Sequence, residues 1–164
     1  MKNYYKGTKE NPYHLSVGAV ILNDENKVCC HYYKDAFTKQ SPEKYRNIYT
    51  LMRETIEMGE NIEEALHRGL MEEFGITGEI ITYIGSLKGY FPTDGVQIEK
   101  TTLYFTVKLK TFNPELRSKD DIERKVDIQF QDADFLISKM KDQGQRLDQA
   151  LDESAILERI ILNK

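Results

Sequence analysis

The stretch ETIEMGENIEEALHRGLMEEFGI, Glu54 to Ile76, contains the signals that begin and end a helix. Asn61 is followed three residues later by Glu64, a capping-box pattern in which each side chain can satisfy a free backbone amide. Gly75 can adopt the left-handed backbone conformation that commonly ends a helix. The sequence therefore predicts a helix that begins near Ile62 and ends at Gly75.

The acidic end of this helix allows two interpretations. At about 100° per residue, the helix has an apolar stripe on one face. Gly69 and Glu73 lie at one edge of this stripe, and Glu72 lies farther round the helix. The stripe consists of Ile62, Leu66, Leu70 and Phe74. A carboxylate beside a buried stripe must be paired, hydrogen-bonded or bound to a cation, and Mg²⁺ uses one or two carboxylates together with water and phosphate oxygens. The alternative is a solvated helix end in which Glu72 pairs with Arg68, and helix spacing alone favours this alternative.

The segment from Glu54 to Ile76 resembles the Nudix box, G-x5-E-x7-R-E-U-x-E-E-x-G-U, where U is aliphatic. Seven of the nine specified positions match, namely Glu60, Arg68, Leu70, Glu72, Glu73, Gly75 and Ile76. Glu54 stands where the family has a glycine whose backbone carbonyl helps to bind metal. Gly69 stands where the family has the first glutamate of its R-E-x-x-E-E cluster. The resemblance implies an α/β (α+β) fold with a Nudix-like mixed β-sheet between α-helices.

Nudix hydrolases typically cleave a pyrophosphate linkage in a nucleoside diphosphate derivative, with divalent cations and a positioned water. The resemblance thus implies a Mg²⁺- or Mn²⁺-dependent pyrophosphohydrolase with an altered active site. Glu72 and Glu73 would be catalytic metal ligands, the backbone carbonyl of Glu54 a further ligand, and Arg68 would orient Glu72. Structural support within the box would come from Glu60 and Gly75.

The missing glutamate at position 69 raises the question of the general base. In some members of the family that glutamate serves as the base, and in others a loop after the box supplies it. This chain has a charged loop with Asp120, Asp121 and Glu123, which are candidates for that role. Ordinary exposed charge is the more frequent explanation for such a loop.

The departures at Glu54 and Gly69 also leave an alternative function open. A catalytically inactive Nudix domain could bind a nucleotide or a protein partner. Because glycine is a poor helix former, Gly69→Glu is expected to stabilise the helix and tighten metal binding, unless close packing prevents it.

The rest of the chain shows the element order of one Nudix-like domain over residues 1–164, with an N-terminal tail at 1–13. A hairpin is predicted around NDEN, strands at NIYTLM, GEIITYIGSLKGY, EKTTLYFTVKLKTF and VDIQF, and a turn at FPTDG. Two helical segments follow. The final segment, RLDQALDESAILERIILNK, is predicted to bury one face formed by Leu147, Leu151, Ala155, Ile156 and Ile160.

Composition limits the class of partner. A net charge of -4 argues against a nucleic-acid duplex. The resemblance to the Nudix box implies instead a small nucleotide-type substrate, for which Tyr13, Tyr49 and Tyr90 are candidate stacking residues. No apolar run is long enough to cross a membrane, which predicts a cytoplasmic protein.

Adjacent Cys29 and Cys30 point to opposite faces of a strand and are predicted to be buried hydrophobes. The oligomeric state is open, with a homodimer as one possible arrangement.

Overall fold

The computed structural model describes residues 2–35, 46–118 and 126–162. Asp120, Asp121 and Glu123 lie outside these residues. Seven strands form one mixed sheet. They are β1 (Tyr13–Leu22), β2 (Val28–Asp35), β3 (Arg46–Thr50), β4 (Met52–Thr55), β5 (Ile76–Thr93), β6 (Val96–Phe112) and β7 (Asp127–Gln131). The helices are α1 (Ile62–Gly69), α2 (Ala133–Arg146) and α3 (Ser154–Leu162).

The sheet has the order β3-β2-β1-β6-β5, and β1 runs parallel to β6. The other pairings are antiparallel, with β4 joined to β1 and β7 joined to β2. The predicted hairpin between β1 and β2 is confirmed. The predicted FPTDG turn is shorter than expected, because only Asp94 and Gly95 leave the strands and both have positive φ angles. Such a two-residue turn matches the natural twist of the strands that it connects.

One face of the sheet packs against α1. Alternate residues of β1, Val17, Ala19 and Ile21, contact the helix residues Leu66 and Leu70 in one buried cluster. The period of two along the strand and the period of about four along the helix bring these apolar positions together. Leu66, Leu70 and Phe74 of the predicted stripe are fully buried, whereas Ile62 at its start is 38% exposed.

The opposite face packs against α2 and α3 through a second cluster that includes Val20, Leu51 and Leu157. The predicted final helix differs from the structure, because a 3-10 turn at Gln149–Leu151 separates α2 from α3. Leu157 is fully buried, whereas Ala155 is exposed. The extended backbone of Asp148, whose side chain caps the turn, shifts the buried face of the last helix away from the continuous pattern.

The two cysteines fill the core on opposite sides of the sheet, as predicted. Cys29 belongs to the cluster under α1 and Cys30 to the cluster under α2 and α3. Burial raises the pKa of the Cys30 thiol to about 12, so this group is an unreactive thiol at neutral pH. Among the described residues, no helix combines the length and the apolar character that a membrane crossing requires.

Candidate active site

The helix that carries the acidic pair has the predicted ends. The Asn61 side chain accepts a hydrogen bond from the backbone amide of Glu64 at 2.9 Å, and the Glu64 carboxylate accepts one from the amide of Asn61 at 2.8 Å. After α1 the backbone continues as one π-helical turn, Leu70–Phe74, and ends at Gly75 with φ +66°. A Cβ atom on Gly75 would lie 2.0 Å from the carbonyl oxygen of Asn113, so only glycine fits there. Gly75 thus ends the helix in the left-handed conformation, and its supporting role in the box stays a prediction.

Arg68 connects this helix to the preceding loop. Its Nε lies 2.6 Å from one carboxylate oxygen of Glu60 and its Nη2 lies 3.0 Å from the other. The same Nη2 also donates to the backbone carbonyl of Thr55 at 2.7 Å. Two parallel hydrogen bonds from a guanidinium fix both the distance and the plane of a carboxylate. Arg68 thereby fixes the loop between β4 and α1.

Three further carboxylates converge on one nitrogen of Arg68. Its Nη1 lies 3.3 Å from Glu72, 3.4 Å from Glu54 and 3.8 Å from Glu57. The pairing of Glu72 with Arg68 proposed for a solvated helix end is thus present. In the described ranges, no three His, Cys, Asp or Glu side chains form a ready-made metal site, and the Arg68 guanidinium lies where these carboxylates meet. The candidate metal ligands are carboxylate oxygens, which Mg²⁺ and Mn²⁺ prefer. They fit such an ion if their side chains turn away from Arg68.

Glu73 faces the interior instead of Arg68. It is 3% exposed, and its carboxylate lies 4.0 Å from Nδ1 of His31. The Nε2 of His31 lies 3.2 Å from the backbone carbonyl of Glu73, and the imidazole stacks on Phe74 with 4.0 Å between ring centroids. The two adjacent glutamates therefore lie in different surroundings, one at the surface beside Arg68 and one buried beside a histidine.

Glu54, for which the resemblance implies a metal ligand through its backbone carbonyl, lies within strand β4. Its carboxylate accepts a hydrogen bond from the amide of Thr55 at 2.8 Å. Burial raises the pKa of Glu54, and the nearby charge of Arg68 opposes that effect.

The expected benefit of Gly69→Glu is not supported by the packing. A Cβ atom on Gly69 would lie 2.8 Å from the Cβ of Glu54, which is closer than side chains normally approach. Helix propensity favours a side chain at this position, but a tertiary contact excludes one. Neither the Glu54 placement nor this contact was visible in the sequence, because both depend on how β4 packs against α1.

A cavity of about 270 Å³ lies on the other face of β4, between the sheet and the turn before α3. Its lining includes three cationic side chains, Arg53, Lys88 and Lys100, and three aromatic residues, Tyr90, Phe91 and Tyr104. Of the three tyrosines proposed for stacking, Tyr90 lines this cavity, whereas Tyr49 is buried in the core and Tyr13 is exposed elsewhere. The cavity can attract an anion and offer it an aromatic surface.

The floor of the cavity is a buried polar network centred on Glu153. This carboxylate accepts hydrogen bonds from the Leu51 amide at 2.8 Å and from the Tyr104 hydroxyl, and lies 3.5 Å from Nε of Arg53. Burial lowers the pKa of Lys100 to about 8, and the charge of Arg53 adds to the effect. The sequence analysis did not identify Arg53, Lys100 or Glu153, because they are far apart in the chain and belong to no motif.

Comparison with known proteins agrees with the fold described above. The NUDIX domain family model matches residues 12–148. The chain belongs to this family. This confirms the resemblance inferred from the box and the mixed sheet between helices. Members of the Nudix family are typically hydrolases of small molecules, and many use divalent cations.

The sequence similarity to one known protein covers only part of both chains. A Mycobacterium tuberculosis (strain CDC 1551 / Oshkosh) protein, provisionally named mutator protein MutT4, is 32% identical over 63 residues, which are 38% of this chain and 25% of that protein. The chain thus spans about a quarter of that relative's length.

Solved structures show the same fold. A NUDIX hydrolase from Nitrosomonas europaea has a TM-score of 0.64 at 17% identity, with 92% of this chain and 89% of that chain covered. The E. coli ORF135 protein has a TM-score of 0.59 at 17% identity, with the same coverage of 92% and 89%.

Proposed function

We propose that this protein is a divalent-cation-dependent hydrolase that cleaves a pyrophosphate linkage in a nucleoside diphosphate derivative. The observation that carries the proposal is the retained arrangement of Arg68 with Glu60 and Glu72, which lie on the box helix and in the loop before it. A cationic cavity lies on the other face of β4. Burial and the charge of Arg53 lower the pKa of Lys100 in the cavity, and the charges of Glu73 and Glu54 are among those that oppose this effect, so the cavity and the box carboxylates lie within electrostatic range of each other.

The cavity suits the anionic, aromatic character of such a substrate. Arg53 is held by Glu153, while Lys100 and Lys88 supply further positive charge to the lining. A phosphate group would restore favourable solvation to a buried ammonium, and Tyr90 or Phe91 offers a face on which a nucleobase can stack. We therefore assign substrate binding to this cavity.

The box residues have separate roles in this proposal. Glu72 and Glu73 would hold a Mg²⁺ or Mn²⁺ ion, and Arg68 would orient Glu72 while Glu60 fixes Arg68 in place. The ion would supply charge neutralisation at the phosphate oxygens. Water attacks one phosphorus atom, the anhydride P–O bond breaks with its electrons on the leaving phosphate, and a base accepts the proton of the water.

The base is assigned to the charged loop that contains Asp120, Asp121 and Glu123. The amide of Ser118, which directly precedes that loop, donates a hydrogen bond to the backbone carbonyl of Glu72 at 2.9 Å. The start of the loop is thus attached to the acidic end of the helix, which supports a contribution of the loop to the reaction.

A panel of nucleoside triphosphates, dinucleoside polyphosphates, ADP-ribose and nucleotide sugars, assayed for phosphate or nucleoside monophosphate release with Mg²⁺ or Mn²⁺, tests the function. We expect turnover of at least one compound and its loss in Glu73→Gln. Glu63→Gln is the matched control, because Glu63 lies on the same helix but pairs with the exposed His67. Nucleotide binding without turnover across the panel would instead favour a non-catalytic binding domain. Cytoplasmic location and a homodimer stay predictions.

A further inference from the structure

Glu54 and Gly69 occupy positions whose side chains exclude each other. A Cβ atom built on Gly69 would lie 2.8 Å from the Cβ of Glu54, 3.1 Å from its Cγ and 3.2 Å from the sulfur of Met52. The Cβ of Glu54 is attached to strand β4 and cannot swing away as the end of a flexible side chain can. Glycine at position 69 is therefore what allows residue 54 to carry a side chain at this point.

The two residue types stand in exchanged places relative to the Nudix box. The box has glycine where this chain has Glu54, and glutamate where this chain has Gly69. In this chain the two positions meet at the contact between β4 and α1, and both the chain and the box have one glutamate and one glycine at these two positions. The exchange thus conserves the number of carboxylates at the contact while changing the element that carries one of them.

The carboxylate of Glu54 also lies with the acidic residues of the helix. It is 3.4 Å from Nη1 of Arg68, and the carboxylate of Glu72 is 3.3 Å from the same nitrogen. The Glu54 side chain is 20% exposed, so an ion in solvent can reach it. Two carboxylates from different elements, Glu54 and Glu72, therefore already share the positive charge of the Arg68 guanidinium.

We propose that Glu54 supplies from β4 the carboxylate that the box supplies from the helix, and that it is a side-chain ligand of the divalent cation. The inference rests on the proposed function for the presence of that cation, but not on the identity of the substrate. It replaces the backbone role predicted for this position with a side-chain role.

Binding of Mn²⁺ to the purified full chain, measured by calorimetry without nucleotide, tests the proposal. Glu54→Gln keeps the shape of the side chain and removes its charge, and we expect Mn²⁺ affinity to fall about tenfold or more. Glu57→Gln is the matched control, because Glu57 also lies near Arg68, at 3.8 Å, but is 64% exposed. Equal affinities in the parent and Glu54→Gln would overturn the proposal, as would equal losses in both variants.

A cycle of variants tests the exchange itself. We expect Gly69→Glu alone to lower the melting temperature and Glu54→Gly alone to weaken Mn²⁺ binding. The double variant Glu54→Gly/Gly69→Glu should recover both properties, because it restores one glutamate and one glycine at the contact. Additive losses in the double variant would contradict the exchange.

These results separate the inference from the proposed function. Mn²⁺ binding that depends on Glu54, without hydrolysis of any compound in the panel, would support the inference and overturn the function. Hydrolysis that survives in Glu54→Gln with unchanged Mn²⁺ affinity would do the reverse. A parent protein that binds no Mn²⁺ would overturn the inference outright.

Discussion

Arg68 donates two hydrogen bonds to the carboxylate of Glu60, from Nε to one oxygen at 2.6 Å and from Nη2 to the other at 3.0 Å. These bonds attach the loop before α1 to the helix. The hydrogen bond with Arg68 lowers the pKa of Glu60. A carboxylate with a lowered folded-state pKa stabilises the protein above its unfolded pKa. That stabilisation is lost as the pH falls through the folded-state value.

Replacing Arg68 by lysine should lower the free energy of unfolding by about 1.5 to 3 kcal/mol, because a single ammonium nitrogen cannot reproduce the two parallel hydrogen bonds that Nε and Nη2 donate to Glu60. Chemical denaturation at pH 7 measures this change. Arg146→Lys is the matched control, since Arg146 forms an exposed pair with Asp142 and should change stability by less than about 1 kcal/mol. Similar losses in the two variants would show that the Glu60 pair has no special importance.

The buried carboxylate of Glu153 is expected to be important for stability. Glu153→Ala removes the partner of Arg53, of the Leu51 amide and of the Tyr104 hydroxyl together. Breaking a buried ion pair costs about 3 to 5 kcal/mol, and we expect the lower end because the Arg53 side chain is a quarter exposed. Thermal and chemical denaturation measure the loss. Tyr104→Phe removes one hydrogen bond and should cost only about 1 kcal/mol; an equal loss would contradict the central role of Glu153.

Anion binding in the cavity should depend on pH through Lys100. Its pKa of about 8 lies below the usual 10.5, so the charge that attracts phosphate is lost as the pH rises through 8. Loss of this charge should weaken nucleotide binding about tenfold, which corresponds to about 1.4 kcal/mol. Titration of a nucleotide at pH 7 and pH 9 measures the change, and Lys100→Arg should abolish it because a guanidinium stays charged. Lys110→Met, outside the cavity lining, should keep the parent's pH dependence.

The same pKa shift has the opposite sign for stability. Between pH 8 and 10.5 the unfolded chain binds more protons at Lys100 than the folded chain does. The contribution of this group to the free energy of unfolding therefore increases with pH across that window. A nucleotide affinity that is equal at pH 7 and pH 9 would contradict the assignment of Lys100 to anion binding.

The charged loop after the box is expected to contain the general base. If one of Asp120, Asp121 or Glu123 is the general base, its replacement by alanine should lower turnover about tenfold or more, with an unchanged melting temperature. Steady-state kinetics on a substrate found in the panel measures this effect. Glu115→Ala is a control, because Glu115 is an exposed acidic residue just before the loop. Full activity in all three loop variants would place the base elsewhere.

Short-range sequence patterns were sufficient to predict the local features of this protein. The capping box at Asn61 and the left-handed Gly75 set the ends of the box helix, and alternation set the strands on either side of the Asp94 turn. These features depend on residues within a few positions of one another, so their physical causes are present in any short window of the chain. The resemblance of residues 54–76 to the Nudix box added the family and the fold.

The contacts between residues that are distant in the chain depend on how the elements pack. The contact between Glu54 and Gly69 depends on how β4 packs against α1. The network of Glu153 joins residues about a hundred positions apart. Helix propensity alone favours a side chain at Gly69, and a continuous apolar pattern alone favours Ala155 as a buried residue. Packing overrules both, because steric overlap and the break before α3 involve elements that no local pattern relates to each other.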